Sequence, residues 1–174
     1  MPQRHKRYFL KAKESKELLD KASKRLKIDP ARISVGKVKL EVVETEYAEI
    51  FLSHGKPILI KSEESLFPTL MFREFFGVAP KVIVDMGAVP YVCKGANVMA
   101  PGIRRFEGEF GKGDIVLVAD EKHGKPVAVG EIIYDMEEAK NTKQGIVVKN
   151  LHFVGDNIWS SIKELTMSAG EELI

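Results

Sequence analysis

This chain has one cysteine, no long apolar run and almost no net charge, and each shortage removes a class of protein. Cys93 alone allows neither an internal disulfide framework nor a cysteine-rich metal site. No stretch of about 18 apolar residues occurs, so no helical membrane span is expected. The start, Met1-Pro2-Gln3-Arg4-His5-Lys6-Arg7, is basic but lacks the apolar core and cleavage site of a secretory signal. A cytoplasmic protein without membrane contact is therefore expected. His5, His54, His123 and His152 are scattered, with no i, i+4 pairing among them and no cysteine or carboxylate placed as a co-ligand, so no metal is expected.

Catalytic patterns are missing too. Gly111-Lys112 is the nearest approach to a phosphate-binding P-loop, but Phe106 stands where its first glycine belongs. Gly113 replaces the hydroxyl residue that would hold magnesium. Asp85 follows an apolar strand without a second acid at a spacing for paired acid–base work, and is expected to cap the next turn. Cys93 has no base beside it and reads as a structural thiol. No catalytic residue, cofactor or enzymatic activity is expected.

What is present is an uneven distribution of charge and a two-part pattern. The chain has 174 residues, 44 % of them apolar, enough for one ordinary domain or two small ones. Net charge is only +2, yet residues 1–30 carry ten Lys/Arg against four Asp/Glu. A basic leader on a near-neutral body suits an anionic partner such as nucleic acid, or simply a solvated first helix. Ser15 can cap that helix, with Leu18, Leu19, Ala22 and Leu26 on one stripe, until Asp29-Pro30 breaks it. Strands are expected over Gly36–Val43, Tyr47–Leu52 and Ile58–Ile60, the last two joined by a hairpin turn at Ser53–Pro57. Pro68 is expected to open a short helix carrying Phe72, Phe75 and Phe76, closed by Gly77. Beyond Lys81 short strands follow one another with Gly-rich turns, the pattern of a small barrel, before a last helix from about Ile158. His-Gly-Lys-Pro occurs at 54–57 and again at 123–126 and reads as reused turn chemistry.

The densest signal lies between Lys81 and Arg105. A β-branched strand (Val82-Ile83-Val84) meets Asp85, then a short helix of small residues ends at Lys94-Gly95. A second strand, Asn97-Val98-Met99, ends at Pro101-Gly102. Glycines bare the backbone, Asn97 offers a donor and an acceptor, and Lys94, Arg104 and Arg105 supply charge for phosphate. Candidate RNA contacts are thus Lys94, Gly95, Ala96, Asn97, Pro101, Gly102, Arg104 and Arg105. The same residues also fit a chain that merely turns here, with Val98, Met99 and Ile103 in the core.

Val84-Asp85-Met86-Gly87-Ala88-Val89 followed by Gly95-Ala96-Asn97-Val98-Met99-Ala100-Pro101-Gly102 resembles the opening of a PUA domain. Within that superfamily the chain is similar to the branch of the malignant T-cell-amplified protein and ligatin. Phe67-Pro68-Thr69-Leu70, Gly145–His152 and Gly155-Asp156-Asn157-Ile158-Trp159 support the likeness, which spans nearly the whole chain. It implies an α+β protein: an N-terminal α/β pre-PUA domain (1–77), a C-terminal PUA β pseudo-barrel (78–160) and a helical extension (161–174). It also implies a non-enzymatic RNA-binding translation factor at the small ribosomal subunit, placing or releasing tRNA during initiation, reinitiation or recycling. The bound RNA would be tRNA or rRNA, and a SUI-domain partner protein could be supplied in trans. The alternative is an RNA-targeting accessory subunit for a tRNA- or rRNA-modifying enzyme. A third reading is a protein-binding scaffold docking through the aromatic helix near Phe72–Phe76.

Overall fold

The computed structural model describes residues 5–33 and 38–168, and the chain divides into two compact units. The first comprises Met1–Phe75 together with Ser160–Ile174, the second Phe76–Trp159.

In the first unit β1 (Lys6–Phe9), α1 (Ala12–Leu26), α2 (Pro30–Ile33), β2 (Glu41–Glu44), β3 (Glu49–Ser53), β4 (Lys56–Ser62) and β5 (Ser65–Pro68) follow in order. The strands form an antiparallel meander in sequence order. β1 lies in the basic leader, where no strand was expected. All four of its residues are solvent-facing, so no alternation marks it as a strand. Cross-strand contacts hold it instead: Arg7 to Glu41 (2.5 Å) and the Tyr8 hydroxyl to Glu44 (2.9 Å). β2 starts later than expected, and Gly36 and Lys37 lie outside the described residues.

Helix α1 begins one turn earlier than expected, and Ser15 is not its cap. Ser15 lies on the buried stripe with Leu19, Ala22, Ser23 and Leu26. Its hydroxyl accepts the Leu40 amide (3.0 Å), satisfying a donor that would otherwise be buried unpaired. The His54-Gly55 hairpin forms as expected. Both residues have positive φ (50° and 79°), as the tight turn between twisted strands requires.

Pro68 ends β5 instead of opening a helix. Thr69, fully buried, turns the chain by donating to the Pro57 carbonyl (2.8 Å) and accepting the Met71 amide (3.1 Å). α3 (Arg73–Phe76) follows. Phe72 and Phe75 pack ring against ring, centroids 6.3 Å apart, and are almost wholly buried. They are core, which removes them as a docking surface.

The second unit contains β6 (Lys81–Val84), α4 (Val89–Val92), β7 (Val98–Met99), a 3-10 turn (Ala100–Gly102), β8 (Ile103–Glu107), β9 (Ile115–Asp120), β10 (Pro126–Ile132), α5 (Met136–Asn141) and β11 (Ile146–Phe153). The strand order is β7-β11-β10-β9-β6-β8, antiparallel except for the parallel β6–β9 pair. The outermost strands, β7 and β8, are separated in sequence by only the three residues of the 3-10 turn. The sheet must therefore curl until its edges meet, and the expected pseudo-barrel results. Its interior is filled by β-branched residues, among them Val82, Val84, Val116, Val118, Ile132, Val147 and Val148. β9 is buried at every position, which explains its unbroken apolar run.

The second His-Gly-Lys-Pro does not repeat the chemistry of the first. Here a longer loop is gathered by Asp120, whose carboxylate accepts the His123 (2.5 Å) and Lys125 (3.2 Å) amides. The His123 amide bond is the main cause holding the Asp120 carboxyl below its usual range.

The last helix, α6 (Asn157–Ser168), starts in the second unit, and its residues from Ser160 belong to the first unit. Asp156 caps the helix.

Candidate nucleic-acid interface

Where β6 ends, the Asp85 carboxylate accepts the Ala88 amide (2.8 Å), the capping role expected of it. The Asp85 amide donates to the Gly102 carbonyl (2.9 Å), fastening this turn to the Pro-Gly corner. Helix α4, opened by Pro90, is too short to persist alone and is held by its ends. Ala96 donates back to the Tyr91 carbonyl (3.0 Å), and Gly95 takes φ of 98°, where an L side chain is strained. A Cβ there would also stand 3.3 Å from the Phe153 ring.

Asn150 on β11 completes the fastening. Its side-chain amide donates to the Val92 and Ala96 carbonyls (both 3.0 Å), and its backbone amide donates to Asn97 Oδ1 (2.9 Å). The two asparagines tie the α4–β7 loop to the barrel wall.

Between this loop and the Pro-Gly corner lies a cleft of about 400 Å³. Asp85, Tyr91, Asn97, Met99, Pro101 and Gly102 are among its lining residues. Tyr91 is 68 % exposed and Met99 47 %, large apolar side chains left open to water beside a concavity.

Of the expected contact residues, Ala96, Asn97, Pro101 and Gly102 meet at this cleft. The Asn97 Oδ1 accepts the Asn150 backbone amide, which sets the carboxamide orientation and leaves its NH2 as a donor. Lys94 and Gly95 sit beside the cleft at the end of α4, Lys94 exposed. Arg104 and Arg105 lie on β8 outside the lining. Arg104 faces Glu121 (3.1 Å) and Arg105 faces Glu107 (3.2 Å), so any phosphate there competes with a carboxylate. Met99, expected in the core, faces the cleft. Tyr91, Asp85 and Asn150 are the residues sequence reasoning did not assign to the site. Tyr91 carried a signal, as the one large ring in a run of small residues; Asn150 carried none.

Two other groups bear on chemistry. Cys93 is half-buried, and burial pushes its thiol up, away from a reactive thiolate. His152 is fully buried and does have a carboxylate at i+4, contrary to expectation: Nδ1 lies 2.8 Å from Asp156. Asp156 also accepts the Phe153 (3.0 Å) and Trp159 (2.6 Å) amides. Burial alone would raise its carboxyl; the bonds from His152 and the two amides outweigh burial and hold it below the usual range. The pair caps a helix. Among the described residues no three His, Cys, Asp or Glu side chains are grouped to hold a metal.

A curled six-stranded sheet with a glycine-bared helix end against a Pro-Gly corner defines a PUA domain. The PUA domain family model matches residues 80–154, and a domain of unknown function, DUF1947, matches residues 6–73. The chain belongs to the family of two-domain PUA proteins that includes the translation machinery-associated proteins 20 and the malignant T-cell-amplified sequences.

It is 36 % identical to an uncharacterized protein of Methanocaldococcus jannaschii over 89 % of this chain and 96 % of that one. Translation machinery-associated protein 20 of Saccharomyces cerevisiae is 28 % identical over 71 % of this chain and 73 % of its own. A crystal structure of a PUA domain from Aeropyrum pernix superposes with a TM-score of 0.78 at 31 % identity, covering 93 % of each chain. A probable tRNA pseudouridine synthase B of Pyrobaculum arsenaticum is 46 % identical over 70 residues, which span 40 % of this chain and 21 % of that enzyme.

Proposed function

We propose that this protein is an RNA-binding translation factor that acts in the cytoplasm at the small ribosomal subunit. It places or releases tRNA during initiation, reinitiation or recycling. The observation that carries this reading is the likeness to translation machinery-associated protein 20, which extends over most of both chains rather than over the PUA unit alone. The PUA region, about residues 78–160, takes the RNA (tRNA or rRNA), with Lys94 and the bared backbone around Gly95, Pro101 and Gly102 at the contact. The N-terminal region, about residues 1–77, serves the ribosome or a SUI-domain partner protein. No helix among the described residues is long and apolar enough to cross a membrane.

Sucrose-gradient sedimentation of lysate tests this. The protein should migrate with small subunits at low salt and be released as salt rises, since phosphate contacts liberate counterions. Residence at the top of the gradient at low salt refutes it.

The identity shared with the pseudouridine synthase favours a second reading, delivery of RNA to a separate modifying enzyme. Pull-down from native lysate separates the two: small-subunit proteins support the first reading, a modifying enzyme without them supports the second.

A further inference from the structure

Helix α1 carries lysine where a helix built only for its own stability would not. Lys11 stands at the N-cap with no side-chain bond to the helix, at a position that favours Ser, Thr, Asp or Asn. Lys13 lies in the first turn, where the positive end of the helix dipole repels a cation. Lys27 closes the other end with φ of 53°, the left-handed conformation usually left to glycine. Each of these choices costs folding stability, so the lysines serve something other than the fold.

Between Lys11 and Lys27 there are seven Lys/Arg against three Asp/Glu. Lys11, Lys13, Lys16, Lys21 and Lys24 are all exposed. Among the described residues none of the five meets a carboxylate within 4.0 Å, although Glu14, Glu17 and Asp20 share the helix. The cations of β1 and β8 differ, since Lys6, Arg7, Arg104 and Arg105 each face a glutamate. At a rise of about 1.5 Å per residue, Lys13 to Lys24 spans about 16 Å, long enough to reach several phosphates.

The rest of the helix narrows the choice of anionic partner. Leu19, Ala22 and Leu26 are buried in the fold, so no apolar face remains to enter a membrane. α1 has no aromatic residue and exposes no large apolar one, so it lacks the anchors of a protein interface. It equally lacks a ring on which an unpaired base could stack. What it offers is a row of cations on a rigid, convex rod, which suits the sugar–phosphate backbone of an RNA helix.

We propose that the lysine face of α1 is a second nucleic-acid surface, on the first unit, that grips the backbone of double-stranded RNA without reading its sequence. This gives a task to the region matched by the domain of unknown function, and it rests on the reading that the protein works on RNA.

Fluorescence anisotropy of the full chain with a labelled blunt RNA duplex, over a series of salt concentrations, tests this. The parent should bind, with log affinity falling linearly against log salt. Gln replaces Lys at little cost in helix propensity. In a K13Q/K16Q/K21Q/K24Q variant, duplex binding should weaken at least about tenfold and the salt slope should flatten by about two to four. Arg at the same four positions should preserve both. Removing equal charge from the second unit, as K122Q/K125Q/K140Q/K143Q, should change affinity by less than about threefold.

Equal losses in the two Gln variants would report net charge alone and overturn the proposal. So would a parent that binds no duplex, or an α1 Gln variant that binds like the parent. If the parent still sediments with small subunits in these cases, the functional reading survives. A parent that binds phosphatidylserine vesicles but not duplex assigns the face to a membrane and overturns the proposal as well. The α1 Gln variant should melt no lower than the parent, because losing Lys13 relieves the helix end. A lower melting temperature makes these lysines structural and overturns it too.

Discussion

Replacing Asp156 with alanine should be among the most damaging single changes outside the apolar core. One carboxylate caps α6 through the Trp159 amide (2.6 Å), accepts the Phe153 amide (3.0 Å) and meets buried His152 Nδ1 (2.8 Å). An ionised carboxylate only accepts, so Nδ1 carries the proton and loses its partner in the variant. Loss of an N-cap costs about 1 kcal/mol. A buried donor left unpaired costs about 1–3 kcal/mol, and His152 Nε2 already lacks a partner among the described residues. The sum is about 3 kcal/mol at neutral pH. Urea unfolding followed by the fluorescence of Trp159, the only tryptophan, measures it. Asp156→Asn keeps an acceptor for the cap but turns an NH2 toward the Phe153 amide, so about half the loss is expected.

The sign with pH follows from the depressed carboxyl of Asp156. A group whose folded pKa lies below its unfolded value stabilises fully above the unfolded value and loses that effect as pH falls through the folded one. The gap between parent and Asp156→Ala should therefore be widest near neutrality and close below about pH 4. A gap smaller than about 0.5 kcal/mol at pH 7, or one that widens in acid, refutes the reasoning.

Three further outcomes are expected. Gly130→Ala places a Cβ 2.8 Å from the Lys149 carbonyl and against the Val148 side chain, so β10 must shift from β11. A stability loss of about 2 kcal/mol or more in urea is expected. Asn150→Ala frees the Val92 and Ala96 carbonyls, so hydrogen exchange at the Gly95 and Ala96 amides should quicken while the amides of β9 stay protected. Ser15→Ala leaves the buried Leu40 amide without its acceptor and should cost about 1–2 kcal/mol, read by the same urea titration.

The barrel was legible because its strands are short apolar runs punctuated by glycines, and the Pro-Gly corner marked the end of one of them. β1 was not, since an edge strand exposed on both faces has no period to read. Ser15 misled for a related reason: a serine before an apolar stripe looks like a cap whether it precedes the helix or sits inside it. Of the residues that line the cleft, Ala96, Asn97, Pro101 and Gly102 stood out in the sequence because they lie close together along it, whereas Val98 and Met99 read as core. Asn150 did not stand out, because its partners lie more than fifty residues away and no local spacing encodes them. Arg104 and Arg105 drew attention by charge alone, and sequence does not display the glutamates that face them.

The most direct test of RNA recognition by the PUA cleft is amide chemical-shift mapping of the full chain titrated with single-stranded RNA. Shifts concentrated at Asp85, Tyr91, Ala96, Asn97 and Gly102 are expected. Shifts gathered instead on the lysines of α1, among them Lys13, Lys16, Lys21 and Lys24, with the cleft silent, would contradict it.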